Sequence, residues 1–145
     1  MGRILALDFG RKRIGIAVSD PLQIIASGLI TVNQAEVIPF LQEYMAKEEV
    51  DELVLGHPRQ MDNSDSDSMK DVRPFLNRMR KVFPELDIRM YDERFTTKIA
   101  QQSLIEGGAR KKTRSNKELR DMMSATILLT SYLEYKKHKE QQQEQ

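Results

Sequence analysis

Two apolar runs at the start of the chain constrain its fold more than any other feature. Ile4-Leu5-Ala6-Leu7 and Ile14-Gly15-Ile16-Ala17-Val18 are each of strand length, and they flank a turn of Gly10 with three cations, Arg11, Lys12 and Arg13. That is how a buried β-hairpin is written. Asp8 is the misfit, because it sits where the first strand leaves the core. A carboxylate there needs a hydrogen-bond partner, a counter-charge or a metal to offset its desolvation. Two readings stand side by side: an Asp accepting backbone N–H groups before Gly10, and a site residue.

The 145 residues make one domain with room for a real core. The absence of cysteine excludes disulfides, thiolate zinc sites and cysteine nucleophiles, so any metal would have oxygen ligands. No apolar run approaches a membrane span, and Met1-Gly2-Arg3 leads straight into a strand with no signal-peptide core. A soluble, cytoplasmic protein is expected. The net charge of +1 conceals segregation: Glu43 to Asp71 carries nine acidic and three basic residues, and Lys98 to Arg120 seven basic and two acidic. A basic face on a nearly neutral protein favours a polyanionic partner, although a charge run is more often a solvated surface.

After the hairpin come the turn at Asp20-Pro21 and a third strand, Gly28 to Val32. Asn33 and Glu36 read as an N-cap and its companion carboxylate for a helix that buries Val37, Ile38, Leu41, Tyr44 and Met45, with Pro39 in its opening turns. Leu53 to Gly56 is a short buried strand running into a polar loop, His57 to Asp65. A second helix, capped by Ser66 or Ser68, carries Met69, Val72, Leu76, Met79 and Val82 on one face and stops at Pro84. Asp87 to Tyr91 is a strand that delivers Asp92-Glu93-Arg94 at its end. A third helix spans about Thr96 to Ile105 and stops at Gly107-Gly108. The last helix opens on the capping box Ser115-Asn116-Lys117-Glu118 and runs to about Tyr135. Residues 1–136 are thus expected to form the domain, and 137–145 a disordered polar tail.

An antiparallel start followed by alternating strands and helices predicts an α/β fold with a mixed five-stranded sheet flanked by helices. Ligands of such sheets sit at the C-terminal ends of parallel strands, which is where Asp8 and Glu93 fall. On the last helix Asp121 lies at the edge of the apolar stripe of Ala125, Leu128 and Leu129 rather than on the polar face. Small neighbours, Ser124 and Ala125, leave room for that helix start to approach the sheet. Three converging carboxylates repel one another unless a divalent cation neutralises them, and hard oxygen ligands suit Mg²⁺ or Mn²⁺. Such ions can activate a water and stabilise the leaving oxygen of a phosphodiester.

The stretch from Leu7-Asp8-Phe9-Gly10 through Lys12-Arg13-Ile14-Gly15 to Ser19-Asp20 resembles the YqgF family, also called RuvX. So do the Gly56 to Ser64 loop with Met61-Asp62, the run Asp92 to Thr97, and Asp121 before Ala125 and Ile127-Leu128. The resemblance covers nearly the whole chain to about Tyr135. It implies a ribonuclease H-like fold and a hydrolase of phosphodiesters, described both as a Holliday junction resolvase and as a nuclease maturing the 5′ end of precursor 16S ribosomal RNA. Asp8, Glu93 and Asp121 fall on the family's acidic catalytic and metal positions, with Asp92 the competitor for Glu93. The expected partner is ribosomal RNA precursor, on the small ribosomal subunit, in preference to a DNA junction. The expected state is a monomer or homodimer. Arg11, Lys12, Arg13, Arg94, Thr96, Lys98, Arg110, Lys111, Lys112 and Arg114 are the expected nucleic-acid contacts. His57 reads as a structural hydrogen-bonder before a proton shuttle. Ser124 stands where resolvases of this fold can carry a fourth carboxylate, which weighs against the junction. A non-catalytic RNA-binding module would keep the basic loop but has no use for carboxylates at strand ends.

Overall fold

The hairpin forms as its pattern requires. The computed structural model describes residues 2–9, 13–57, 69–92 and 117–143, with side chains in 2–9, 13–56, 72–91 and 120–139. Strand β1 (Arg3–Phe9) pairs antiparallel with β2 (Arg13–Ser19), and β2 with β3 (Ala26–Asn33). Helix α1 (Gln34–Lys47) leads to β4 (Val50–His57), which lies parallel to β1. Helix α2 (Met69–Val82) precedes β5 (Asp87–Asp92), parallel to β4. The last helix, α3, is Lys117–Gln143. The sheet order is β3-β2-β1-β4-β5, the mixed five-stranded sheet expected.

Strand alternation divides the core in two. Leu5, Leu7 and Phe9 of β1, with Ile14, Ile16, Leu53 and Leu55, meet Val37 and Leu41 of α1 and Val72, Leu76 and Met79 of α2. On the opposite face Ile4, Ala6, Ala17, Val54 and Tyr91 meet Ala125, Leu128, Leu129, Tyr132 and Leu133 of α3. Counting by two from Ala6 puts Asp8 on the α3 face.

Some local expectations are revised. Asn33 does sit at the N-cap of α1 in extended conformation, but its side chain makes no capping bond. β4 runs longer than Leu53 to Gly56 because the buried Glu52 has partners on α3 and β5. Helix α3 runs to Gln143 rather than about Tyr135. No Gly or Pro follows Tyr135, and Lys, Glu and Gln are good helix formers. The turn before β3 is closed by the Asp20 carboxylate, which accepts N–H groups of Ile25 (2.8 Å) and Ile24 (2.7 Å). These bonds hold its pKa below the ordinary value. The expected helix from Thr96 to Ile105, the loop from Pro58 to Asp65, and the caps at Ser66, Ser68 and Ser115 lie outside the described residues. Among the described residues no helix is long and apolar enough to cross a membrane.

Candidate active site

Asp8 is the last but one residue of β1, half-buried, and its strand partners are Gly15 on β2 and Gly56 on β4. Both neighbours lack a side chain, so the sheet surface around the carboxylate is open on the face that α3 covers. Gly15 explains how closely α3 comes. A Cβ built there would lie 2.0 Å from the backbone oxygen of Asp121 and 2.4 Å from its carbonyl carbon. Only a residue without a side chain lets the helix backbone rest on β2 at this point. Further along, a Cβ built on Gly28 of β3 would lie 3.3 Å from Thr126 Oγ1 and 3.4 Å from the Met122 Cβ. The room for this approach is therefore made by glycines of the sheet. Ala125 is buried in the contact, whereas Ser124 is exposed and provides none of it.

The register thus brings two of the three expected carboxylates to one place: Asp8 faces Gly15, and Gly15 carries the backbone of Asp121. The Asp121 carboxylate already holds a cation, since Arg13 Nε donates to its Oδ2 at 3.0 Å. Arg13 begins β2, two residues before Gly15, and shares its face. It was expected on a nucleic-acid phosphate; here it is engaged with a carboxylate of the site through one of its five donors.

Glu93, Arg11, Lys12, Arg94, Thr96, Lys98, Arg110, Lys111, Lys112 and Arg114 lie outside the described residues, as does the side chain of Asp92. His57 closes β4 opposite Asp92 on β5, at the sheet end that bears Asp8. Among the described residues no three His, Asp or Glu side chains group as a metal site. The donor chemistry that is described fits a hard divalent cation all the same. Asp8 and Asp121 lie on adjoining elements at Gly15, and the Arg13 guanidinium holds the carboxylate of Asp121.

Gly15 was not singled out by sequence reasoning, although a signal existed. A glycine between two isoleucines in a buried strand weakens it and often marks a close backbone approach. A cleft of about 700 Å³ lined by Ile24, Ile25, Thr130, Leu133 and Lys137 opens beside the later half of α3 and holds none of the proposed site residues.

Residues 2–135 match the family model described as "RuvX: Holliday junction resolvase". The chain belongs to the RuvX family. RuvX relatives with the name "Putative pre-16S rRNA nuclease" include one from Phocaeicola vulgatus, 49% identical over 95% of this chain and 99% of its own length. Another, from Bacteroides thetaiotaomicron, is 50% identical over 94% and 99%. Among solved structures, T. thermophilus RuvC in complex with a Holliday junction substrate is similar at a TM-score of 0.55 over 93% of this chain and 96% of that one. At 12% identity that likeness speaks for the fold. With the strand order it makes the RuvX chain a ribonuclease H-like α/β protein, as the resemblance implied.

Proposed function

We propose that this RuvX-family chain is a divalent-metal-dependent nuclease of the cytoplasm that trims precursor 16S ribosomal RNA at its 5′ end. The observation that supports the reading is that the backbone of Asp121 rests on Gly15, the strand partner of Asp8 at the C-terminal end of β1. A sheet that places two acidic groups there without further purpose would pay in stability for their repulsion. Near-complete coverage of relatives named as pre-16S rRNA nucleases supports the choice of RNA.

Asp8, Glu93 and Asp121 are the proposed catalytic and metal-holding residues, for Mg²⁺ or Mn²⁺. Glu93 is preferred to Asp92 because it is the residue that falls on the acidic position of the family resemblance. When bound, the ion supplies charge that activates a water and stabilises the departing oxygen. The chain's own part is to fix the carboxylates. Asp8 is held in a strand with neighbours on both sides, and Asp121 by a helix whose backbone rests on the sheet. Such rigidity keeps the ligands in place without reorganisation. Arg11, Lys12, Arg94, Thr96 and Lys98 near the carboxylates, with Arg110, Lys111, Lys112 and Arg114 before α3, are proposed to hold the phosphate backbone. The ribosomal small subunit and a monomeric or dimeric state belong to the same reading.

The test is a side-by-side cleavage assay on single-stranded RNA, duplex RNA and a four-way DNA junction with Mg²⁺ or Mn²⁺. Single-stranded RNA is expected to be cut fastest, and Asp8→Asn to abolish cutting while leaving the melting temperature unchanged or raised, because it relieves carboxylate crowding. Preferential cutting of the junction would move the protein to recombination. Near-normal rates in Asp8→Asn would remove Asp8 from the catalytic set.

A further inference from the structure

We propose that Arg13 is an exchangeable counter-ion: it neutralises Asp121 while the metal is absent, leaves when a divalent cation binds, and then grips a phosphate of the substrate. The inference rests on the nuclease reading above and adds an order to it, in which metal comes first and the arginine contact second.

Three observations carry it. Arg13 Nε lies 3.0 Å from Asp121 Oδ2, so guanidinium and metal would compete for the same carboxylate. Asp121 is fixed by its own backbone, whose oxygen lies 2.0 Å from the point where Gly15 would carry a Cβ. The mobile partner is therefore the long Arg13 side chain, anchored at the first residue of β2. Lastly, the two side chains are 33% and 32% exposed, so solvent ions reach the pair and little is lost by parting it. A displaced guanidinium beside a cation is repelled from it, and a phosphate offers the bidentate acceptor geometry that Arg matches. Nucleic acid bound at the metal would supply that phosphate within reach of the same stem. Arg13 as a permanent brace for Asp121, or as a permanent phosphate contact, are the outcomes that oppose it.

The full chain titrated with Mg²⁺ and followed by nuclear magnetic resonance decides the exchange. The Arg13 Nε–H signal, assigned by its loss in Arg13→Lys, should move with the same midpoint as the Asp121 backbone amide, and neither should respond in Asp121→Asn. An Asp121 amide that moves while Arg13 stays put overturns the exchange and leaves the metal site standing. No response at either residue overturns both. Affinity for Mg²⁺ should rise about two- to fivefold in Arg13→Gln, since a weak partly exposed competitor is gone; a fall would make Arg13 a brace. The second half is read from binding of a single-stranded RNA oligomer, with Ca²⁺ or with no divalent ion. Replacing Arg13 by Gln should flatten log K against log salt by about 0.7 with Ca²⁺ and by about zero without it. An equal difference in both conditions, or none in either, overturns the proposal.

Discussion

Gly15 decides how closely the start of α3 approaches the sheet. In Gly15→Ala the added methyl meets backbone, the Asp121 oxygen at 2.0 Å and carbonyl carbon at 2.4 Å, which cannot rotate away as a side chain would. The start of α3 must lift, at a cost of about 1–3 kcal/mol by analogy with other overpacked cores. Gly28→Ala meets Thr126 Oγ1 and the Met122 Cβ at 3.3 and 3.4 Å, a few tenths of an ångström from comfort, and should cost about 1 kcal/mol or less. Thermal melts of the two variants are expected to separate clearly, and cleavage should fall in Gly15→Ala by more than its reduced stability explains. Similar melts for both would mean that the helix does not rest on β2 as described. Asp8 and Asp121 were legible in the sequence because each is a carboxylate in a place that charges avoid. Gly15 was not, because what occupies the space above a strand glycine is set by an element 106 positions further along. The Arg13–Asp121 pair was hidden for the same reason: a run of three cations at a turn gives no sign that one will turn inward.

Helix α3 is held near its start and again, by polar contacts, in its later half. Near its start lies the contact with β2. In its later half Tyr132 donates its hydroxyl hydrogen to Glu52 of β4, Lys136 Nζ reaches the other Glu52 oxygen at 2.7 Å, and Arg89 Nε of β5 approaches Glu52 at 3.4 Å. Glu52 is 4% exposed, a buried charge that three partners offset. Tyr91 and Ser131 share a further buried hydrogen bond of 2.9 Å. Removing one partner is costly because the carboxylate stays behind, so Lys136→Met is expected to destabilise by about 1–3 kcal/mol, less than the about 3–5 kcal/mol of a fully buried pair since Lys136 is partly exposed. Burial, and then the Glu52 carboxylate, push the Tyr132 pKa well above its ordinary value of 10.0. The raised folded-state pKa means that the unfolded chain loses this proton first. Its stabilisation is complete below about pH 10 and is lost as pH rises above that. Tyr132→Phe should therefore show a shallower fall of stability between about pH 10 and 12, measured by denaturant unfolding. Tyr44, also raised by burial, gives a background common to both proteins. An unchanged alkaline slope would mean that Tyr132 ionises as freely in the fold as out of it. This clamp also explains the elements that sequence patterns placed short. Val50, Asp51 and Glu52 fell outside the expected strand, and the partners on α3 and β5 make the buried Glu52 admissible there. The order of the described strands and helices, by contrast, followed from periodicity with cap and turn signals.

At the scale of the whole molecule, the proposed metal site makes a prediction about stability. A cation that binds the folded chain and not the unfolded one should stabilise by about 1.4 kcal/mol at ten times its dissociation constant. Mg²⁺ or Mn²⁺ is thus expected to raise the melting temperature of the wild type, and to do so much less in Asp121→Asn or Glu93→Gln. Loss of the effect in Asp92→Asn with Glu93→Gln unaffected would shift the third ligand by one residue. The basic stretch from Lys98 to Arg120, on a chain of net charge +1, makes a separate prediction for nucleic-acid binding. Lys111→Ala combined with Lys112→Ala should flatten log K against log salt by about 1–2 units, at about 0.7–0.9 for each phosphate that is no longer neutralised. Affinity should weaken by a similar factor across RNA sequences, because phosphates carry no sequence information. This weakening should be the same with and without a divalent ion, unlike that of Arg13→Gln. A slope unchanged by the double substitution would mean that the positive stretch is only a solvated surface and that the substrate runs along another face.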